Sequence, residues 1–242
     1  MVVTEAAALA ADARATAPAI VLSDVIRVYR EADVETIALR GIDLQIAAGE
    51  FVAIMGRSGS GKSTLLQLLA GSDRPTAGRV IVDGIDLSRA EEEERARLRG
   101  AHVGIVFQSG NLVPFLSLEE NVDLAGGLAG RPVDRASTRD VLQQVGLGGR
   151  ERHRPAQLSG GEQQRAALAA VLVTKAPIVL ADEVTGELDS ATAGLLLDLL
   201  ADVHRREGMT LVLATHDPSV AARADRLVEL RDGRVVGDRR LS

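Results

Sequence analysis

From Ile20 onward the chain alternates two kinds of apolar segment. Short runs rich in β-branched residues, IVLSDVIRVY, TIALRGIDLQI and FVAIMG, predict strands, with turns at Gly41 and at Ala48-Gly49. A break from Gly56 to Gly61 follows, and then STLLQLLAG carries apolar residues at helical spacing until Gly71 and Pro75 stop it. RVIVDG predicts another strand, EEEERARLRG a charged helix, and HVGIVF a strand ending at Gln108. From Ser109 to about Ser159 the apolar segments are short and glycines frequent, with one helix predicted around Ser137 to Val145. Beyond them come a helix from about Gly161 to Val173, the strand IVLAD, the helix SATAGLLLDLLADVHRR, the strand TLVLAT, a short helix, and closing strands LVEL and RVVG. Apolar strands alternating with amphipathic helices predict an α/β fold with a mainly parallel sheet covered on both faces. Residues 1 to about 18, rich in Ala and Thr, read as a flexible tail or solitary helix outside that fold. Residues 19–242 are then one domain, with a helical insert at about 109–160.

Composition narrows the class. A chain of 242 residues has room for one large domain or one domain with an insert. With 46% apolar and 26% charged residues, wholesale disorder is excluded. The net charge of −6 and a lysine complement of Lys62 and Lys175 alone argue against a nucleic-acid partner, whose affinity needs clustered cations. No cysteine is present, which excludes disulfides, thiolate metal sites and a cysteine nucleophile, and suits the cytoplasm. Glu5 and Asp12 stand where a secretory signal would be basic, so no export signal is expected. The longest stretch free of charge, Gly100 to Leu118, contains His102, Gln108, Ser109, Asn111 and Pro114 and cannot span a bilayer. Any membrane role is therefore expected to be that of a peripheral partner.

The candidate chemistry begins where FVAIM runs into Gly56-Arg57-Ser58-Gly59-Ser60-Gly61-Lys62-Ser63-Thr64. This satisfies G-x-x-x-x-G-K-[ST] between a predicted strand and a predicted helix. The glycines let successive N–H groups curl around an anion, to which the helix adds its positive end. Phosphate binding follows, with Lys62 reaching the β- and γ-phosphates and the Ser63 hydroxyl ligating Mg²⁺. A second feature is the strand ending in Asp182-Glu183. If that strand neighbours the first, Asp182 suits water-mediated Mg²⁺ binding and Glu183 can orient or deprotonate an attacking water. A third is Leu158-Ser159-Gly160-Gly161-Glu162-Gln163-Gln164-Arg165, which opens a helix. Taken alone, it fits an anion-binding helix start and a capping box from Ser159 to Glu162 equally well.

LSGGEQQR closely resembles the signature of ATP-binding-cassette (ABC) ATPases, and Ser159 lies 23 residues before Asp182, in the family's order. The resemblance covers roughly Ile20 to Gly237 and implies the phosphate-loop NTPase fold of that family, with an antiparallel β subdomain and a helical insert. It implies that Tyr29 stacks on adenine and that Gln108, at the junction of core and insert, joins the metal site. Gly186-Glu187-Leu188-Asp189 would form the loop that crosses a dimer interface, and His216 would contact the γ-phosphate. Each has a plainer reading: Tyr29 as a core aromatic, Gln108 as a solvated strand end, and His216 as a cap partner for a helix near Asp217. ATP would be sandwiched in a head-to-tail homodimer between the phosphate loop of one copy and Ser159, Gly160 and Gly161 of the other, and hydrolysis would let the dimer open.

FQSGNLVPFLSLEENV and RPAQLSGGEQQR look most like the ATPases of the lipoprotein-releasing, macrolide-export and cell-division group. For them the resemblance implies a cytoplasmic subunit on the inner face of the membrane, energising a separate permease that docks at Val113, Pro114, Phe115 and Leu116. The alternative is an ATP-dependent regulatory module of a non-transporting membrane complex. Four departures from the family's pattern stand out: Val184 where proline is usual, Glu187 where asparagine is usual, Arg57 where this group has proline, and AALAAVLVTKAP, which lacks the arginine common after the signature helix.

Overall fold

The computed structural model describes residues 18–31 and 34–241, so the expected N-terminal tail lies, apart from Pro18, outside the described residues. Two sheets organise the chain. The first contains β1 (Pro18–Glu31), β2 (Val34–Ala47), β4 (Ala77–Val82) and β5 (Ile85–Asp86), antiparallel throughout and in the order β2-β1-β4-β5. Its β2 alternates exposed and buried positions toward its end, as a sheet with one packed face requires. The second contains β3 (Phe51–Met55), β6 (Val103–Val106), β7 (Ile178–Asp182), β8 (Thr210–Thr215), β9 (Arg226–Arg231) and β10 (Arg234–Arg240), in the order β10-β9-β3-β8-β7-β6. All its pairings are parallel except β9 with β10. The architecture matches the α/β expectation of a parallel core with an antiparallel subdomain.

Strand β3 shows how one short apolar run builds two cores. With a side-chain period of two, Phe51 and Ala53 point to one face and Val52 and Ile54 to the other. The first pair joins Val106, Leu168, Leu196 and Leu213, under the helices α5 (Gly160–Leu172) and α6 (Ser190–Glu207). The second pair joins Ile20, Leu22, Ile42 and Leu44 of the antiparallel sheet and Leu65 and Leu69 of α1 (Lys62–Leu69). Because both faces are covered, β3, β7 and β8 are apolar at nearly every position. Among the described residues no helix is long and apolar enough to cross a membrane.

The stretch between β6 and α5 holds one α-helix more than its sequence pattern predicts. It holds α3 (Leu118–Leu128) and α4 (Arg135–Gln144), of which α4 is the helix expected around Ser137 to Val145. Helix α3 starts at a complete capping box between Ser117 and Glu120. Buried Asn121 accepts from Val113 N (2.7 Å) and donates to Ser117 O (2.8 Å), fixing the loop that precedes the helix. Among the described residues the remaining helices are α2 (Glu92–Ala101), a 3₁₀ turn at Pro155–Gln157 and the single turn α7 (Pro218–Ala221).

Junctions between the layers depend on close backbone approach. At the start of β4, Gly78 has φ of +86°, and a Cβ there would lie 2.2 Å from Asp24 O, a main-chain atom of β1. We expect Gly78→Ala to cost about 2 kcal/mol or more, lowering the thermal unfolding midpoint by roughly 4–8 °C. Calorimetry on the nucleotide-free protein checks this.

Candidate functional site

The loop after β3 is wedged rather than free. Gly56 N donates to Thr215 O (3.2 Å), and a Cβ on Gly56 would lie 2.4 Å from Leu230 O. Gly61 has φ of +105°, and its Cβ would meet Ala38 O at 2.7 Å. Both positions therefore require glycine, one for space and the other for conformation and space. Gly59 is different, since its φ of +77° needs glycine but nothing lies near it. Ser60 N donates to Arg57 O (3.1 Å) and Ser60 O accepts from Gly233 N (3.0 Å), closing the loop against the β9–β10 turn. Ser58 stands at the loop's exposed tip, and Ser63 and Thr64 continue into α1.

Lys62 is 5% exposed. Its Nζ donates to Gly56 O (2.8 Å) and Arg57 O (3.3 Å) and forms an ion pair with Glu183 Oε1 (3.2 Å). His216, one residue beyond β8, brings Nδ1 within 3.4 Å of the same oxygen. Three segments distant in sequence thus converge on one carboxylate oxygen. The strands carrying the loop and the two carboxylates are not neighbours, contrary to the simplest expectation, because β8 lies between β3 and β7. All three run parallel, however, so their carboxyl ends open onto one edge of the sheet, where ligands of open α/β folds bind. Glu183 turns into the site with φ of +46°, an unusual conformation for a residue with a side chain, while its N–H bonds Ala214 O (3.0 Å).

The two adjacent carboxyls titrate in opposite directions. Burial raises the Asp182 carboxyl above its ordinary value; the Ser63 side chain opposes this, and the neighbouring Glu183 charge adds to it. Asp182 Oδ1 is buried with no hydrogen-bond partner. For Glu183 burial also pushes upward, but hydrogen bonds and charge from Lys62 and His216 win and hold it below the ordinary range.

Gln108 lies beyond the end of β6, with Nε2 3.4 Å from Glu187 Oε1. Among the described residues no hydrogen bond joins it to Ser63 or Asp182, its expected companions at the metal site. Its main-chain oxygen accepts instead from Gln164 of α5, which is buried and also donates to Phe107 O (3.3 Å). Gln164 stood in the quoted signature, but nothing in the sequence marked it as the tie between that helix and the segment after β6.

Ser159 caps α5 in a complete capping box, with Ser159 Oγ 2.9 Å from Glu162 Oε2 and 3.3 Å from Glu162 N. The capping reading is therefore realised. Ser159 and Gly160 nonetheless remain exposed, and a Cβ on Gly161 would lie 2.3 Å from Thr192 Cγ2 of α6. No hydrogen bond joins this helix start to residues 56–64 among the described residues. Asp189 caps α6, accepting from Ala191 N (3.0 Å), Thr192 N (3.1 Å) and Thr192 Oγ1 (2.6 Å). Tyr29 is partly exposed near the end of β1. Its hydroxyl donates to Asp73 Oδ2 (2.8 Å), and the Arg27 guanidinium sits 4.3 Å from its ring centroid. Neither Arg27 nor Asp73 carried a sequence signal, since Asp73 is 44 positions from Tyr29.

Residues 39–186 match the family model described as ABC transporter. The chain is 47% identical over 225 residues to the macrolide export ATP-binding/permease protein of Hyphomonas neptunium, covering 92% of this chain and 35% of that protein. It is 46% identical over 225 residues to the lipoprotein-releasing system ATP-binding protein of Anaeromyxobacter dehalogenans, covering 91% of this chain and 94% of that protein. The fold matches, with a TM-score of 0.86 and 38% identity, an ATP-binding cassette solved as a dimer in a post-hydrolysis state bound to ADP and Pi, covering 92% of this chain and 99% of that one.

The opposed titrations yield a stability prediction. A carboxyl whose folded pKa is raised leaves the fold unpenalised while protonated in both states, below the ordinary 3.8, and costs stability as pH rises through the folded value. We expect Asp182→Asn to raise the unfolding midpoint of the nucleotide-free protein at neutral pH. The gain should shrink to nothing as the pH falls below the ordinary carboxylate range. Thermal melts across a pH series check both statements.

Proposed function

We propose a function from one premise: the chain belongs to the ABC transporter family, whose model its residues 39–186 match. The protein binds and hydrolyses ATP as a nucleotide-binding subunit, and the free energy of that cycle drives a separate membrane permease. The observation that carries this reading is the convergence of Lys62 and His216 on Glu183 Oε1 at the mouth of the glycine loop.

Backbone amides from Gly56 to Thr64, with the start of α1, hold the β- and γ-phosphates. Lys62 then exchanges its Gly56 and Glu183 partners for phosphate oxygens. Deprived of that ion pair, Glu183 is left to accept a proton from, or orient, the water that attacks the γ-phosphorus. His216, already beside Glu183, donates to the γ-phosphate as charge develops on it. The oxygens of Ser63 and Asp182 form a hard donor set suited to Mg²⁺, and the partnerless Asp182 Oδ1 is a buried acceptor awaiting such a ligand shell. Gln108 would complete that shell after releasing Glu187. When bound, Mg²⁺ neutralises charge shared by the β- and γ-phosphate oxygens.

The start of α5 supplies a second set of amides, at Ser159, Gly160 and Gly161, and among the described residues no hydrogen bond joins it to the phosphate loop of its own copy. A head-to-tail homodimer, in which two such starts each close over the other copy's loop, uses both, with Asp189 at the seam. The dimeric form of the related cassette supports this arrangement. Residues 19–242 act as the ATPase domain, with the helices between about 109 and 160 as its permease-facing unit. Phe115 (70% exposed) and Leu128 (73%) lie there, and Phe115 borders a groove with Pro114, Arg152 and Arg154. Apolar surface of this kind in an otherwise polar setting marks a partner site. The relatives named for macrolide export and lipoprotein release support export or lipoprotein extraction as the coupled process, at the inner face of the membrane.

Glu183→Gln keeps the shape of the site but removes the base. We expect ATPase activity to fall at least about 100-fold while ATP binding persists. Light scattering on this variant should then show a monomer become a dimer on addition of Mg-ATP. Unchanged turnover would overturn the assignment of Glu183.

A further inference from the structure

We propose that Asp73 is a positioning residue that, together with Arg27, fixes the Tyr29 ring as a stacking platform for the base of the bound nucleotide. The proposal rests on the reading of Tyr29 as the residue that stacks on that base.

The geometry begins with one oxygen. Asp73 Oδ2 accepts from Arg27 Nε at 2.7 Å and from the Tyr29 hydroxyl at 2.8 Å. The Arg27 guanidinium then lies 4.3 Å from the ring centroid, on one face of Tyr29. A cation over an aromatic face is attractive, so the pair holds both the tilt of the ring and the position of its tip. Tyr29 is partly exposed, and among the described residues no second aromatic ring stacks on it. Arg27 and Asp73 are each about one-fifth exposed, so water screens the pair less than it does a surface ion pair.

Asp73 also ties the platform to the phosphate site. Its N–H donates to Gln67 O (3.3 Å) of α1, the helix that begins with Lys62 and Ser63. On the strand side Tyr29 pairs with Thr36 of β2, and Ala38, two residues on, packs its carbonyl against Gly61. The ring is thus referenced from both directions to the loop that holds the phosphates. A nucleotide anchored by its phosphates needs its base to meet a surface at a fixed distance from that loop, and a ring free to rotate would forfeit part of the stacking energy to ordering. Asp73 removes that freedom before the ligand arrives.

Tyr29 is the only tyrosine and the chain has no tryptophan, so intrinsic emission reports this ring alone. ATP should quench it, and inorganic tripolyphosphate should bind without quenching. By calorimetry, Tyr29→Ala should weaken Mg-ATP binding about tenfold, and Asp73→Ala about three- to tenfold, with tripolyphosphate affinity unchanged in both. Asp73→Asn keeps an oxygen acceptor for the Tyr29 hydroxyl and should recover part of the loss. If Tyr29→Ala leaves ATP affinity unchanged, the base-stacking reading falls and the proposal with it. If Tyr29→Ala weakens ATP but Asp73→Ala does not, or if Asp73→Asn is no better than alanine, the positioning role alone is overturned. Equal weakening of tripolyphosphate by Asp73→Ala would also overturn it, because the effect would then lie in the phosphate loop.

Discussion

An ammonium group removed from water must have its charge answered by the protein, and in this fold that group is Lys62. Burial of an unpaired charge costs several kcal/mol, so the loop carbonyls of Gly56 and Arg57 and the Glu183 carboxylate are needed around it. Much of the site follows from this requirement. The loop must curl back over its own lysine, which places glycine at Gly56 and Gly61 against neighbouring backbone. Strand β7 must deliver its acidic end to the same edge of the sheet. The resulting arrangement is poised, because the anion that best replaces these partners is a polyphosphate.

A second constraint acts across copies. The start of α5 is a well-formed helix N-terminus, satisfied at its first turn by Ser159 and Glu162, with Ser159 and Gly160 exposed and Gly161 buried. The phosphate loop has one open side at the sheet edge. In the proposed dimer each answers the other. The link from Gln164 to the main chain after β6 gives that arrangement a way to reach the helical region bearing Phe115, since α5 and the segment after β6 are tied together.

Much of the fold was legible because β3, β7 and β8 are buried on both faces and so read as unbroken apolar runs. Helix α3 was missed, since Gly126 and Gly127 dilute its apolar pattern. Its one clear signal was Ser117 followed three residues later by Glu120. The order β3-β8-β7 could not be read, because a strand's own composition does not say which strand lies beside it. Lys62, Asp182, Glu183 and His216 stood out as motif residues, but the convergence of Lys62 and His216 on one Glu183 oxygen depends on β8 lying between the other two strands. Arg27, Asp73 and Gln164 were invisible for a related reason: each acts through a contact with a residue far along the chain. Glu187, singled out as a departure, proves to face Gln108, a pairing that its charge alone did not suggest.

In the proposed dimer each ATP is held between the phosphate loop of one copy and the helix start of another. Mixing two inactive variants, Lys62→Ala and Ser159→Arg, distinguishes this arrangement from a site built within one copy. Each homodimer lacks one half of both sites, whereas a mixed dimer contains one complete site, built from the loop of the Ser159→Arg copy and the helix start of the Lys62→Ala copy. The mixture should recover ATP hydrolysis that neither variant shows alone. A mixture no more active than the sum of its components, under conditions where native mass spectrometry shows that mixed dimers form, would contradict it.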